Sequence, residues 1–181
     1  MTASSGVGYH RFLDLTEQDL KLLRSRAVEM AKRIDDKEAS DRVELLEITS
    51  RGQTFAIPLG AVEGITDLTS IASVPRSPPF VRGLVSFRGE VLIGIELSTL
   101  VGSGDLGFAD LRRVICIVAG RLRIAILAER VVSVRSVALS VFKADPLGQH
   151  PFVLGTDDHF ISLLEPGMLI SYAFKSVGDR R

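Results

Sequence analysis

Phe80-Val81-Arg82-Gly83-Leu84-Val85-Ser86-Phe87-Arg88-Gly89-Glu90-Val91-Leu92-Ile93-Gly94-Ile95-Glu96-Leu97 is the stretch on which the fold turns. Two runs rich in β-branched and aromatic residues flank Arg88-Gly89, the pattern of two strands joined by a tight turn. In the second run Val91, Ile93, Ile95 and Leu97 share one face of an extended chain. Glu90, Gly94 and Glu96 take the other, with Leu92 as the exception, which is the alternation of a half-buried antiparallel strand. Arginine tolerates positive φ poorly, so the expected turn keeps Arg88 right-handed and places only Gly89 in the left-handed region, with a bulge. Arg88 then projects from a rigid tip, either as a solubilising charge or as a recognition arginine of the kind enriched at interface hot spots.

The same texture extends outward. Leu45–Ile48, Phe55–Leu59, Leu84–Phe87, Val91–Leu97, Val114–Ala119, Leu122–Leu127 and Ile161–Leu164 are short apolar runs punctuated by Gly or Pro, and they are the strand candidates. No helical pattern of ten or more residues separates them, which argues against βαβ units and for a barrel or sandwich. Pro75-Arg76-Ser77-Pro78-Pro79 has PxxP spacing, but apolar strand sequence on both sides makes a stiff inter-strand loop the better reading than a docking peptide. An internal repeat is also visible. Gly52, Phe55-Ala56-Ile57, Val62 and Ile65 are echoed by Gly120, Ile124-Ala125-Ile126, Val131 and Val134, and Phe80-Val81-Arg82-Gly83 by Phe152-Val153-Leu154-Gly155. Two matches in the same order favour two related small barrels over one large one, with a seam near Gly102–Asp110.

Before Val43 the pattern differs. Thr16 and Asp19 form an imperfect capping box, and Leu20, Leu23, Ala27, Met30, Ala31 and Ile34 recur at helical spacing, so a helix is expected over about 16–35. The resulting division is an N-terminal extension over 1–42, a first β-barrel subdomain over 43–108, a second over 109–174 and a C-terminal tail over 175–181. The chain has 181 residues, of which 46% are hydrophobic and 24% charged, so it can bury a real core and is not disordered in bulk. Its 22 basic and 22 acidic residues cancel, which argues against nucleic acid as a partner. Arg outnumbers Lys 17 to 5, the one feature in favour of an RNA-binding pair of barrels, but Trp is absent and there are only two Tyr to act as stacking platforms. Apolar runs are too short to span a bilayer and no secretory signal is visible in Met1–His10, so no membrane insertion and a cytoplasmic location are expected.

Chemistry-bearing motifs are sparse. Gly102-Ser103-Gly104-Asp105-Leu106-Gly107 spells GxGxxG, but a strand candidate begins at Val114 and leaves no room for the helix that would hold a pyrophosphate. The string reads as a flexible connection. Asp157, Asp158 and His159 have no partner cluster nearby in sequence and read as a solvated hairpin tip rather than a metal site. Cys116, inside Val-Ile-Cys-Ile-Val, reads as a small buried hydrophobe. No cofactor, no metal and no enzymatic activity are expected. The alternative from the glycine string and the apolar content is a small-ligand or nucleotide-binding β-barrel.

Leu45–Val62, Val74–Leu97, Val114–Val134 and Phe152–Ile170 resemble the CheW-like family, with the Pro-x-x-Pro, Val-x-Gly and Arg-Gly series in fixed order as the most specific part. The resemblance spans about residues 43–172. It implies a mainly β fold of two interlocked five-stranded SH3-like barrels packed together, preceded here by the N-terminal helix. It also implies a non-enzymatic adaptor that couples chemoreceptor cytoplasmic tips to the regulatory domain of a CheA-type histidine kinase, in the cytoplasm at receptor arrays. Val62, Gly83 and Arg88 match positions associated in that family with receptor contact. Departures are Ile93-Gly94 where Pro-Val is common, Glu129 where Asp is usual, and Gly64 where a polar residue is frequent. Pro166-Gly167 interrupts the usual run from the last strand to the terminal helix.

Overall fold

The computed structural model describes residues 42–102, 110–144 and 150–178. The expected helix over 16–35 and the GxGxxG string beyond Gly102 lie outside the described residues. In chain order the strands are β1 (Arg42–Ser50), β2 (Gln53–Pro58), β3 (Val62–Asp67), β4 (Val81–Phe87), β5 (Glu90–Glu96), β6 (Arg113–Ala119), β7 (Leu122–Ala128), β8 (Arg130–Ala138), β9 (Val153–Thr156) and β10 (Ile161–Leu164). A short helix, Leu97–Leu100, follows β5, and a longer one, Pro166–Gly178, follows β10.

The fold is mainly β, with the strands in two five-stranded sheets. The first has the order β8-β1-β2-β10-β9 and the second β3-β6-β7-β5-β4. The two orders are the same sequence of positions with the halves of the chain exchanged. Each sheet takes the first two strands of one repeat and the last three of the other. The sheets therefore do not follow the 43–108 and 109–174 division. The exchange is sealed by parallel pairing, Ala56 against Leu163 in the first sheet and Gly94 against Ala125 in the second. No crossover helix is involved, because each parallel pair joins strands from different repeats.

Closed barrels are not formed. In each sheet the chain that follows one edge strand, β3 or β8, reaches the opposite edge, β4 or β9, through one reciprocal pair of hydrogen bonds. Ala72 N–H donates to Leu84 O at 2.9 Å and Leu84 N–H to Ala72 O at 2.8 Å; Lys143 and Thr156 do the same at 3.0 and 2.9 Å. On the second sheet the proline-rich loop explains the limit, since Pro75, Pro78 and Pro79 have no N–H with which to extend a ladder. The duplication is exact enough to repeat single bonds. Glu96 N–H donates to Phe80 O and Glu165 N–H to Phe152 O, both at 2.8 Å.

Three cores result. Between the sheets lie Leu46, Ile48, Phe55 and Ile57 from one side and Ile95, Ile115, Ile117, Ile124 and Ile126 from the other, with Phe80 and Phe152 among them. Each sheet also curls around a smaller core of its own: Leu45, Ala56, Ile161 and Leu163 in the first, and Val85, Phe87, Leu92, Val114, Cys116, Ala125 and Leu127 in the second. This corrects the half-buried reading of Val91–Leu97. Ile95 and Leu97 face the shared core while Leu92 faces the inner one, so the strand is buried on both sides, and Val91 lies beyond the shared core, 69% exposed. Strand β4 is the one that alternates strictly, with Val81, Gly83, Val85 and Phe87 buried and Arg82, Leu84 and Ser86 exposed.

Residues 175–178 are helix rather than tail, and Pro166-Gly167 opens that helix instead of interrupting it. Proline at the first helical position loses no bond, and the Glu165 carboxylate accepts the N–H groups of Gly167 and Met168 as a cap. At the β9–β10 turn Asp157 is not solvated. Its side chain is 7% exposed and its Oδ1 accepts the backbone N–H groups of His159 (2.9 Å) and Ile161 (2.8 Å), so it builds the turn.

Candidate functional site

The β4–β5 turn is the part of the fold that presents an arginine. Phe87 pairs with Glu90 in register, so the loop is only Arg88-Gly89. Both residues have left-handed φ, 49° for Arg88 and 85° for Gly89, as the favoured two-residue hairpin turn requires. The expected bulged turn with a right-handed Arg88 is thus corrected. Tight register on both sides of the turn overrides the preference of arginine against positive φ. The strain is confined to a loop of two residues held in register on both sides.

The side chain is held as well as the backbone. Phe87 is 3% exposed and anchored in the inner core of the second sheet, and the Arg88 guanidinium carbon stands 5.1 Å from its ring centroid. The guanidinium also lies against β3. A Cβ built on Gly64 would come within 2.9 Å of Arg88 Nη2 and 3.1 Å of Phe87 Cζ. Strand β3 carries a bulge at Glu63, between the Val62–Ile117 and Gly64–Cys116 pairs. The two acidic residues beside the tip are engaged elsewhere: Arg123 Nη1 donates to Glu90 Oε2 at 2.6 Å, and Arg123 Nε lies 3.0 Å from Glu63 Oε2. The hydrogen bond that Arg123 donates to Glu90, and then the charge of Glu63, raises the pKa of Arg123. Arg88 is exposed, and among the described residues no carboxylate pairs with it.

Val62 begins β3, half-buried against the shared core and two residues from the Gly64 that Arg88 overlies, so the structure brings Val62 and Arg88 to one neighbourhood. Gly83 is elsewhere. It is buried, five residues before Arg88 along β4 and hence roughly 16 Å away at strand rise. Its φ is 146°, and a Cβ there would meet the Ala72 carbonyl oxygen and come within 2.6 Å of Ile71 Cγ2. Gly83 therefore makes the closing bridge of the second sheet possible and does not belong to the tip. Sequence reading singled out Gly64 only as a departure from the family pattern, and it missed the Glu63–Arg123–Glu90 chain. The three charged residues come from different strands, so no local pattern joins them.

A second arginine-glycine turn makes the contrast plain. Arg51-Gly52 joins β1 to β2 with φ of 48° and 74°, the same geometry. Here the arginine folds inward, 13% exposed, and pairs through Nε with Oε1 of the fully buried Glu96. Ser98 Oγ donates to that carboxylate at 3.3 Å and shares a hydrogen bond of 2.9 Å with Ser50 Oγ. Arg82 Nε lies 3.4 Å from Glu96 Oε2, close enough for attraction but without hydrogen-bond geometry. This cluster ties the β1–β2 turn of one sheet to β5 of the other. Cys116 is fully buried; burial, and next the charge of Glu63, pushes its thiol up to about 11, so it stays protonated at neutral pH.

A family model described as CheW-like domain matches residues 44–173. Among solved structures the chain is similar to the scaffolding protein TtCheW from Thermoanaerobacter tengcongensis, at 20% identity and a TM-score of 0.57, over 68% of this chain and 88% of that one. At that identity the likeness concerns the fold. No curated protein matches the chain. With a family model covering the two sheets and the first turns of the last helix, and a scaffold protein sharing their arrangement, the chain belongs to the CheW-like domain family.

Proposed function

We propose that this chain is a non-enzymatic adaptor that couples the cytoplasmic tips of chemoreceptors to the regulatory domain of a CheA-type histidine kinase, in a chemosensory array on the cytoplasmic side of the membrane. Family membership supports the role in outline. The observation that carries it for this chain is Arg88, an exposed cation on a two-residue hairpin turn with no carboxylate of its own among the described residues. A partner carboxylate that meets it gains a charge-assisted, bidentate contact without breaking an existing pair. Val62 supplies apolar surface beside it, and Gly83 contributes by fixing the edge of β4. The inner cores of both sheets are filled by apolar side chains, which supports an adaptor over a barrel that holds a small ligand or nucleotide. Among the described residues no helix is long and apolar enough to cross a membrane.

The test is a pull-down with the receptor tip and, separately, the kinase regulatory domain. Arg88→Glu is expected to lower receptor-tip affinity by at least about tenfold, since a buried charge pair becomes a repulsion. Its thermal midpoint should stay near wild type because the side chain is exposed. Wild-type binding of both partners by Arg88→Glu contradicts the proposal.

A further inference from the structure

We infer that Gly64 is the positioning residue of Arg88: by having no side chain, it lets the guanidinium pack against β3 beside the Phe87 ring, preset for a carboxylate on the receptor tip. The function in this statement rests on the receptor reading above; the geometry does not.

Three observations carry it. First, the backbone of β3 does not ask for glycine at 64. Its φ lies outside the left-handed region, unlike that of Gly83 or Gly89. Second, what a Cβ at 64 would meet is mainly the end of one flexible side chain. The nearest atoms are Arg88 Nη2 at 2.9 Å, Phe87 Cζ at 3.1 Å and Arg88 Cζ at 3.3 Å, and the backbone is not among them. An alanine would therefore leave the strand intact and displace the arginine. Gly83 is the opposite case, since its added Cβ meets the backbone of residue 72. Third, no other contact among the described residues holds the guanidinium where it lies. Arg123 engages both Glu63 and Glu90, which leaves the Phe87 ring at 5.1 Å and the open face of Gly64 as its supports. An arginine supported on two sides has less rotamer freedom to lose when a partner arrives, and immobilising a free side chain at binding costs about a few-fold to tenfold in affinity.

The experiment combines side-chain NMR with binding. In the wild-type chain the Arg88 side-chain protons should be shifted upfield by the Phe87 ring. In Gly64→Ala that shift should disappear while the backbone spectrum and thermal midpoint stay near wild type. Titration with the receptor-tip fragment should show about three- to tenfold weaker binding by Gly64→Ala. In an Arg88→Ala background, Gly64→Ala should cause no further loss, because its effect passes through the arginine. Phe87→Leu removes the ring without adding a Cβ and should weaken binding similarly. Persistence of the ring shift in Gly64→Ala, its absence in wild type, or an equal loss with and without Arg88 overturns the positioning role. Should Arg88→Ala itself bind the receptor tip like wild type, the receptor reading fails, and the NMR comparison still decides the geometry.

Discussion

Gly83→Val is expected to destabilise the fold by about 3–5 kcal/mol, the sum of a left-handed backbone imposed on a β-branched residue and a steric clash that cannot be relieved. At φ 146° the backbone of Gly83 is in a region that side chains rarely adopt. The atom in the way is the carbonyl oxygen of Ala72, which accepts the N–H of Leu84 at 2.8 Å as half of the bridge that joins the edges of the second sheet. Moving it breaks the bridge. Urea unfolding should show a large fall in midpoint, and the thermal midpoint should drop by about 10 °C or more. Two other glycines separate the contributions. Gly52 has φ 74° and nothing within 4 Å of an added Cβ, so Gly52→Ala carries only the backbone penalty of about 1 kcal/mol. Gly155, the counterpart of Gly83 in the repeat, has no positive φ, but its Cβ would lie 2.6 Å from the Lys143 carbonyl oxygen, so Gly155→Ala carries mainly the clash. An order of severity Gly83 > Gly155 > Gly52 supports the paired bridges; equal effects would mean that the bridges contribute little.

The second large effect is expected at Glu96. Its carboxylate has no solvent exposure and lies against two guanidinium groups and the Ser98 hydroxyl. Removing one member of a buried charge cluster leaves the others desolvated, so Glu96→Ala should cost about 3 kcal/mol. Arg82→Ala should cost at most about 1 kcal/mol, because Arg82 is 35% exposed and lacks hydrogen-bond geometry to the carboxylate. Arg51→Met combined with Glu96→Leu should recover part of the loss, since neither charge is then buried alone. The cluster bridges the two sheets, so these variants should unfold in one transition at lower urea rather than in two steps. Separate transitions for the two sheets would contradict a shared core.

How much of this was legible in the sequence follows from what each residue pattern encodes. Ile161–Leu164 and the core of Val114–Ala119 stand out because both faces of those strands are buried and their runs are unbroken. Strand β8, Arg130–Ala138, hides because one face is open to solvent and its residues alternate in burial. Strand β9 is only four residues long. The repeat was visible as Phe80–Gly83 and Phe152–Gly155, yet the exchange of strands between repeats was not, since a period of two gives a strand its faces and says nothing of its neighbours. Arg51-Gly52 and Arg88-Gly89 are the same dipeptide in the same turn. One arginine is buried on Glu96, distant in sequence, and the other is left free by an Arg123 that occupies both nearby glutamates. No local pattern distinguishes them. Long-range charge pairing decided which turn became the candidate site.

The proposed role is to join two other proteins, a receptor and a kinase. Its most direct test is sedimentation of the kinase with receptor-bearing membranes, with and without the purified chain. The kinase is expected to sediment substantially more when the wild-type chain is added, and Arg88→Glu to remove the increase. Kinase recovery that is the same with the chain, without it and with the variant would contradict that role.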